Sequence, residues 1–175
     1  MTDIRKATAS AITGHNLSTS DLVTTALDHI AALAFSDRLG SCLWRLKYAH
    51  DHTKYDTARI LIAHQMDRKL SRSFCLTVAA TVLDEWLYDV CPVCVGRGRI
   101  VIEGTPVAPH ECPECKGTGK RVVYESERLR AVGNPKKPHP KLGQWFASAA
   151  AIIERADAKA AVDVRTQLES WGWRG

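Results

Sequence analysis

The segment Cys91–Gly119 constrains this chain more than any other, because it contains one short motif twice. Cys91/Cys94 and Cys112/Cys115 are two Cys-x-x-Cys pairs separated by 17 residues, and each continues into Cys-x-Gly-x-Gly. Two residues between cysteines let one tight turn present both sulfurs to one metal. The glycines that follow, Gly96 and Gly98 in one copy and Gly117 and Gly119 in the other, allow the positive φ that curls the backbone beneath an ion. Two such turns read as a single structural Zn²⁺ site with Cys91, Cys94, Cys112 and Cys115 as its four ligands. The competing readings are a redox dithiol and a pair of disulfides. The first wants one Cys-x-x-Cys beside a βαβ pattern, which is not present here. The second wants an oxidising compartment, and the N-terminal residues lack the apolar core of a secretory signal. A zinc deaminase needs His-x-Glu and Pro-Cys-x-x-Cys, whereas Val90 and Glu111 precede the pairs and His110 is adjacent to Glu111.

The 175 residues suffice for one domain, or one domain carrying a small insertion. With 45 % apolar and 25 % charged residues the chain is expected to fold. No apolar run approaches the roughly 18 residues of a membrane span, so no membrane partner is expected. Cys42 and Cys75, set among apolar neighbours, read as ordinary buried thiols. The net charge of +5 is unevenly distributed. Residues 91–141 hold ten Lys/Arg against five Asp/Glu, and the rest of the chain holds fourteen of each. A basic excess concentrated on a metal-stapled module favours a polyanionic partner over a merely solvated surface.

Residues 1–19 read as a mobile lead-in, 20–90 as a helical region, 91–124 as the zinc-binding module, and 125–175 as a helical region that completes the domain. Helical periodicity marks 20–35 (Leu22, Ile30, Leu33/Ala34, with Ser20 and Asp21 as start signals), 37–50 (Leu39, Leu43, Leu46), 55–70 (Ala58, Ile62, Met66) and 72–89 (Cys75, Val78, Val82, Trp86). Gly40 weakens the second of these. His50, Asp51 and His52 read as a polar helix end, not as metal ligands, and His64 as a surface or core-edge residue. Between the knuckles, Arg99–Ile102 is β-rich and is expected to pair with Lys120–Tyr124 as a short antiparallel ribbon, with turn signals at Gly104, Pro106 and Pro109 between them. A short helix over 125–132 stops at Gly133. Three prolines interrupt 134–140, and a long helix with Trp145, Ile152, Ile153, Val164 and Leu168 runs from Lys141 to about Trp171, with a break near Asp157. Trp171 and Trp173 are expected to close the C-terminus onto the bundle.

No nucleophile elbow, phosphate loop, dinucleotide fingerprint or His-Glu-x-x-His occurs, so an enzyme is not expected. Cys-x-x-Cys-x-Gly-x-Gly resembles the cysteine-rich region of DnaJ-type cochaperones, but those carry four copies, and the J-domain His-Pro-Asp is missing here. A broader resemblance starts from the run Ser126-Glu-Arg128-Leu-Arg130-Ala131-Val132-Gly133, placed after two knuckles and before a Trp-led helix at Trp145. This order resembles the late-gene antitermination protein Q family of lambdoid phages. The resemblance implies a mainly α fold: a helical bundle with an inserted four-cysteine zinc-binding β-ribbon and a helix-turn-helix-like DNA-binding region. It also implies sequence-specific binding of duplex DNA near a late promoter, RNA polymerase holoenzyme as partner, and the cytoplasm of a bacterial host. The turn from Gly133 to Lys141 is longer than a tight helix-turn-helix turn.

Under this reading Arg128, Arg130, Lys136, Lys137, Lys141 and Gln144 are candidates for base or phosphate contacts, and Arg97, Arg99, Lys116, Lys120 and Arg121 for gripping phosphates. The nearly neutral helices of 20–90 are left for a protein partner. Two other readings compete. One is a protein-binding adaptor or chaperone-like module. The other is an RNA-binding regulator, disfavoured because base stacking wants exposed aromatics and the knuckles are aromatic-poor, with only Tyr124 close by.

Overall fold

A computed structural model describes residues 26–100, 110–133 and 139–172, so the lead-in, the turn signals of 101–109, Lys136, Lys137 and Trp173 lie outside the described residues. Among those described, six α-helices form: α1 (Ala26–Ala34), α2 (Arg38–Ala49), α3 (Tyr55–Gln65), α4 (Arg72–Leu87), α5 (Glu125–Ala131) and α6 (Leu142–Ser170). A 3₁₀ turn, His52–Lys54, joins α2 to α3, and two short strands, β1 (Arg99–Ile100) and β2 (His110–Glu111), pair antiparallel. None of these helices is long and apolar enough to cross a membrane.

The long helix α6 is the spine, packing against α1, α2, α3 and α4. Its apolar residues recur every three or four positions, so Leu142, Phe146, Ala149, Ile152, Ile153 and Ala156 fill one core with the buried faces of α2, α3 and α4. Further along the same face, Ala160, Val164 and Leu168 meet Ala32, Leu33 and the fully buried Trp44 in a second core. The helix does not break near Asp157. That residue accepts a hydrogen bond of 2.9 Å from the Trp44 indole N–H, so it pins α2 to α6, and alanines on either side keep the helix continuous.

Gly40 lies inside α2 for a packing reason. A Cβ there would stand 2.8 Å from Ala160 Cβ and 2.9 Å from the Ala156 carbonyl. The glycine therefore sets how closely α2 and α6 cross, and Asp37 offsets its poor helix propensity by accepting the Gly40 N–H at 2.9 Å as N-cap. In α1 the inward face is His29, Ala32 and Leu33; Ile30 and Ala34 point outward. His50 adopts a left-handed conformation that ends α2, and Asp51 caps the following turn through Thr53. Trp171 closes the C-terminus only at its edge, meeting Phe35 edge-on at 6.1 Å and staying half exposed.

Candidate metal centre

Helix α4 ends at Leu87, and three residues carry the chain to Cys91. Their path is fixed from both sides. The Lys47 ammonium lies 4.3 Å from the centre of the Trp86 ring, donates to the Trp86 carbonyl at 2.8 Å and pairs with Asp89 at 3.1 Å. On the far side of the module, Arg128 in α5 holds Glu85 in α4 with two hydrogen bonds of 2.8 and 2.7 Å. The knuckles are thereby clamped to the bundle where they leave it and where they return.

Within the module the two copies are related by an approximate twofold arrangement. The Cys91 N–H donates to the Gly119 carbonyl at 2.8 Å, and the Cys112 N–H donates to the Gly98 carbonyl at 2.9 Å. Val90 bridges to Lys120 as Glu111 pairs with Arg99. The ribbon expected from Arg99–Ile102 against Lys120–Tyr124 is thus replaced by a different pairing. Each segment leaving a knuckle pairs with the segment approaching the other knuckle, because that register brings the sulfurs together.

The glycines follow from the same arrangement. Gly96 and Gly117 have φ of 79°, and Gly98 and Gly119 have φ of 71°. A Cβ at Gly98 would collide with the Gly117 carbonyl, and one at Gly119 with the Gly96 carbonyl. The second glycine of each knuckle is therefore the seat for the first glycine of its mate.

This geometry buries all four cysteines in one cluster, with the half-buried Ile100 packed on it. Their sulfurs all lie within 4.8 Å of one another, Cys91 to Cys112 at 4.0 Å and Cys94 to Cys115 at 3.6 Å. A disulfide would place two sulfurs at about 2.0 Å. Four thiolates around one ion at about 2.3 Å would be spaced about 3.8 Å apart. The donor set therefore fits one tetrahedrally held ion. The Gly98 N–H donates to Cys94 Sγ at 3.2 Å and the Gly119 N–H to Cys115 Sγ at 3.3 Å, placing dipoles that favour thiolates. Burial raises the pKa of both thiols; at Cys115 the Gly119 N–H and the surrounding thiols outweigh it and pull the group down to about 7, whereas at Cys94 burial and the neighbouring thiols win and push it up to about 11, so the crowded thiols share their protons unevenly. Among the described residues, this is the only group of His, Cys, Asp or Glu side chains that converges in this way, and His50, Asp51 and His52 do not.

The basic candidates separate into two sets. Arg128 is bound to Glu85 and covers the Phe146 ring at 5.0 Å, so its task in this fold is to dock α5. Arg121 pairs with Glu127 at 2.9 Å. Arg97, Arg99, Lys116, Lys120, Arg130 and Lys141 are exposed and make no ion pair among the described residues, and Gln144 is exposed on the first turn of α6. One feature that sequence reasoning missed is the difference between the knuckles. Val90, Val93 and Val95 are exposed on the first, where the second carries Glu111, Glu114 and Lys116 at the equivalent positions. Aligning the two copies residue by residue makes that difference visible.

No protein-family model matches the chain, and no curated protein matches it. The fold and site define a class: a mainly helical protein with a four-cysteine centre able to hold a metal ion.

Proposed function

We propose that this chain is a zinc-stapled transcription antitermination factor that binds duplex DNA in a sequence-specific manner near a phage late promoter and engages RNA polymerase. The ion is zinc, because four soft sulfur donors in a closed tetrahedral set suit it and leave no open coordination position. A closed sphere gives structure and no chemistry, so the protein is read as a non-enzyme. The observation that carries the reading is the set of exposed cations Arg97, Arg99, Lys116 and Lys120, which make no ion pair among the described residues and are borne on one small module stapled by the four cysteines. Rigid placement matters because phosphates reward cations already held at the right spacing.

In this reading α5, Gly133 and the first turns of α6 act as the helix-turn-helix-like unit, with Arg130, Lys141 and Gln144 turned outward for base edges or phosphates. Antitermination and the polymerase partner rest on the resemblance to the Q family. A second reading, a protein-binding adaptor, is favoured by one observation: Val93 and Val95 are 52 % and 73 % exposed on the first knuckle. The two readings separate in a competition assay at physiological salt, using a duplex from just downstream of the protein's own gene, a scrambled duplex and the matching RNA. Antitermination requires selective retention of the first duplex, and weakened retention in the variant Lys116→Gln/Lys120→Gln. Equal weak retention of all three would put the adaptor reading ahead.

A further inference from the structure

A second cationic site lies in the bundle, away from the knuckles. The turn between α1 and α2, the first turns of α2, and the start of α3 enclose a cleft of about 400 Å³. Arg38, Arg45 and Lys54 line it together with the hydroxyls of Ser36, Ser41 and Thr57, and the Cys42 thiol lies in its wall, 7 % exposed. The charges are only partly cancelled. Asp51 takes Arg45, with a hydrogen bond of 3.0 Å to its Nε and an ion pair of 2.8 Å, which fixes that guanidinium in place. Two other nearby carboxylates are committed elsewhere: Asp37 accepts the Gly40 N–H, and Asp56 pairs with Arg59 at 2.9 Å. Arg38 and Lys54 make no ion pair among the described residues. Burial pushes the Cys42 thiol up; Lys54, Arg38 and Arg45 act against that shift and Asp51 acts with it, so the thiol feels the charges that line this cleft.

We propose that this cleft is a phosphate-binding site. The donor set decides the class. Two guanidinium groups and an ammonium supply charge-assisted hydrogen bonds, and the Ser41 and Thr57 hydroxyls add donors beside them, the Ser36 hydroxyl being committed to the Leu33 carbonyl at 2.8 Å. A carboxylate offers two oxygens, whereas a phosphate offers three or four and uses more of such a set. The phosphate group comes either from a small phosphorylated molecule or from a nucleic-acid backbone, and both present the same oxyanion.

The proposal is independent of the metal centre and is tested on the full chain with its metal retained. Backbone amide shifts of Ser41, Cys42 and Thr57 are followed while inorganic phosphate, adenosine monophosphate and a short duplex are added in separate titrations, with sodium chloride at matched ionic strength as the blank. Saturable shifts at these residues are expected, weakened roughly tenfold in Arg38→Gln and in Lys54→Gln, each of which removes one charge-assisted contact. Saturation by phosphate or the nucleotide assigns the small-molecule source; saturation by the duplex alone assigns the backbone. Shifts no larger than those of the blank with all three ligands would overturn the proposal, as would unchanged affinity in both variants with circular dichroism matching the parent. Binding here is read at Ser41, Cys42 and Thr57 with inorganic phosphate, whereas the DNA reading is tested by retention of a duplex, so failure of the DNA reading and failure of this one are distinguishable.

Discussion

Gly98 and Gly119 have no room for a methyl group, although Cys-x-Gly-x-Gly on paper asks only for backbone freedom. The spacing of the cysteines and the need for positive φ are legible in the sequence because both are properties of a single turn. The reciprocal seating of Gly98 on Gly117 and Gly119 on Gly96 is not, since it joins residues about twenty positions apart. Gly98→Ala is therefore expected to cost about 3 kcal/mol, through the left-handed φ and the forced separation of the knuckles together. Chelator competition should show weakened metal retention in that variant. Gly133 also has positive φ, at 71°, but a Cβ there meets nothing within 4 Å. Gly133→Ala should cost only about 1 kcal/mol and leave metal retention unchanged. Equal metal retention in the two variants would show that the carbonyl seats do not hold the centre together.

Periodicity locates α2, α3, α4 and α6 well because each has a buried face, as with Ala58 and Ile62 in α3 or Val78 and Val82 in α4. It fails where a tertiary contact overrides the local signal. The Asp157 side chain reads as a break until Trp44 is found donating to it, and the strand pairing is decided by where the sulfurs must meet. Gly40 reads as a weakness and proves to be the crossing point of α2 and α6. Gly40→Ala, which raises helix propensity, is accordingly expected to lower stability by about 1–3 kcal/mol in denaturant melts, because the added methyl has nowhere to go. A gain in stability would mean that the helices separate easily at this point. Tyr55 supplies a pH-dependent test of the α3–α4 contact. Burial, and then its 2.8 Å hydrogen bond to Asp84, raise its pKa above the ordinary tyrosine range. The folded state thus keeps a proton that the unfolded state loses above about pH 10, so this contribution is complete below that pH and declines as pH rises further. Tyr55→Phe should cost about 1 kcal/mol at neutral pH and show a shallower loss of stability than the parent above pH 10. Parallel pH profiles for the two proteins would remove Tyr55 from the account.

At the scale of the whole molecule, the two helical cores share no side chain with the cysteine cluster. The module is joined to the bundle by polar clamps, Lys47 to Asp89 and Arg128 to Glu85, and by the short α5. Removing the ion, or substituting Cys91→Ser or Cys112→Ser, is expected to abolish metal retention and the order of the knuckles while most far-ultraviolet helicity remains, since metal binding and local folding are coupled. Full metal content in both serine variants would contradict the four-cysteine centre. In the proposed function the ion organises a cationic surface for duplex DNA, and the salt dependence of duplex affinity for the metal-loaded and chelated protein tests this most directly. Log K for the loaded protein is expected to fall steeply with log salt, at about 0.9 per phosphate neutralised, with a slope of roughly 3–4 if Arg97, Arg99, Lys116 and Lys120 each take one phosphate. The chelated protein should bind more weakly and with a shallower slope. The same slope and affinity in both forms would contradict it.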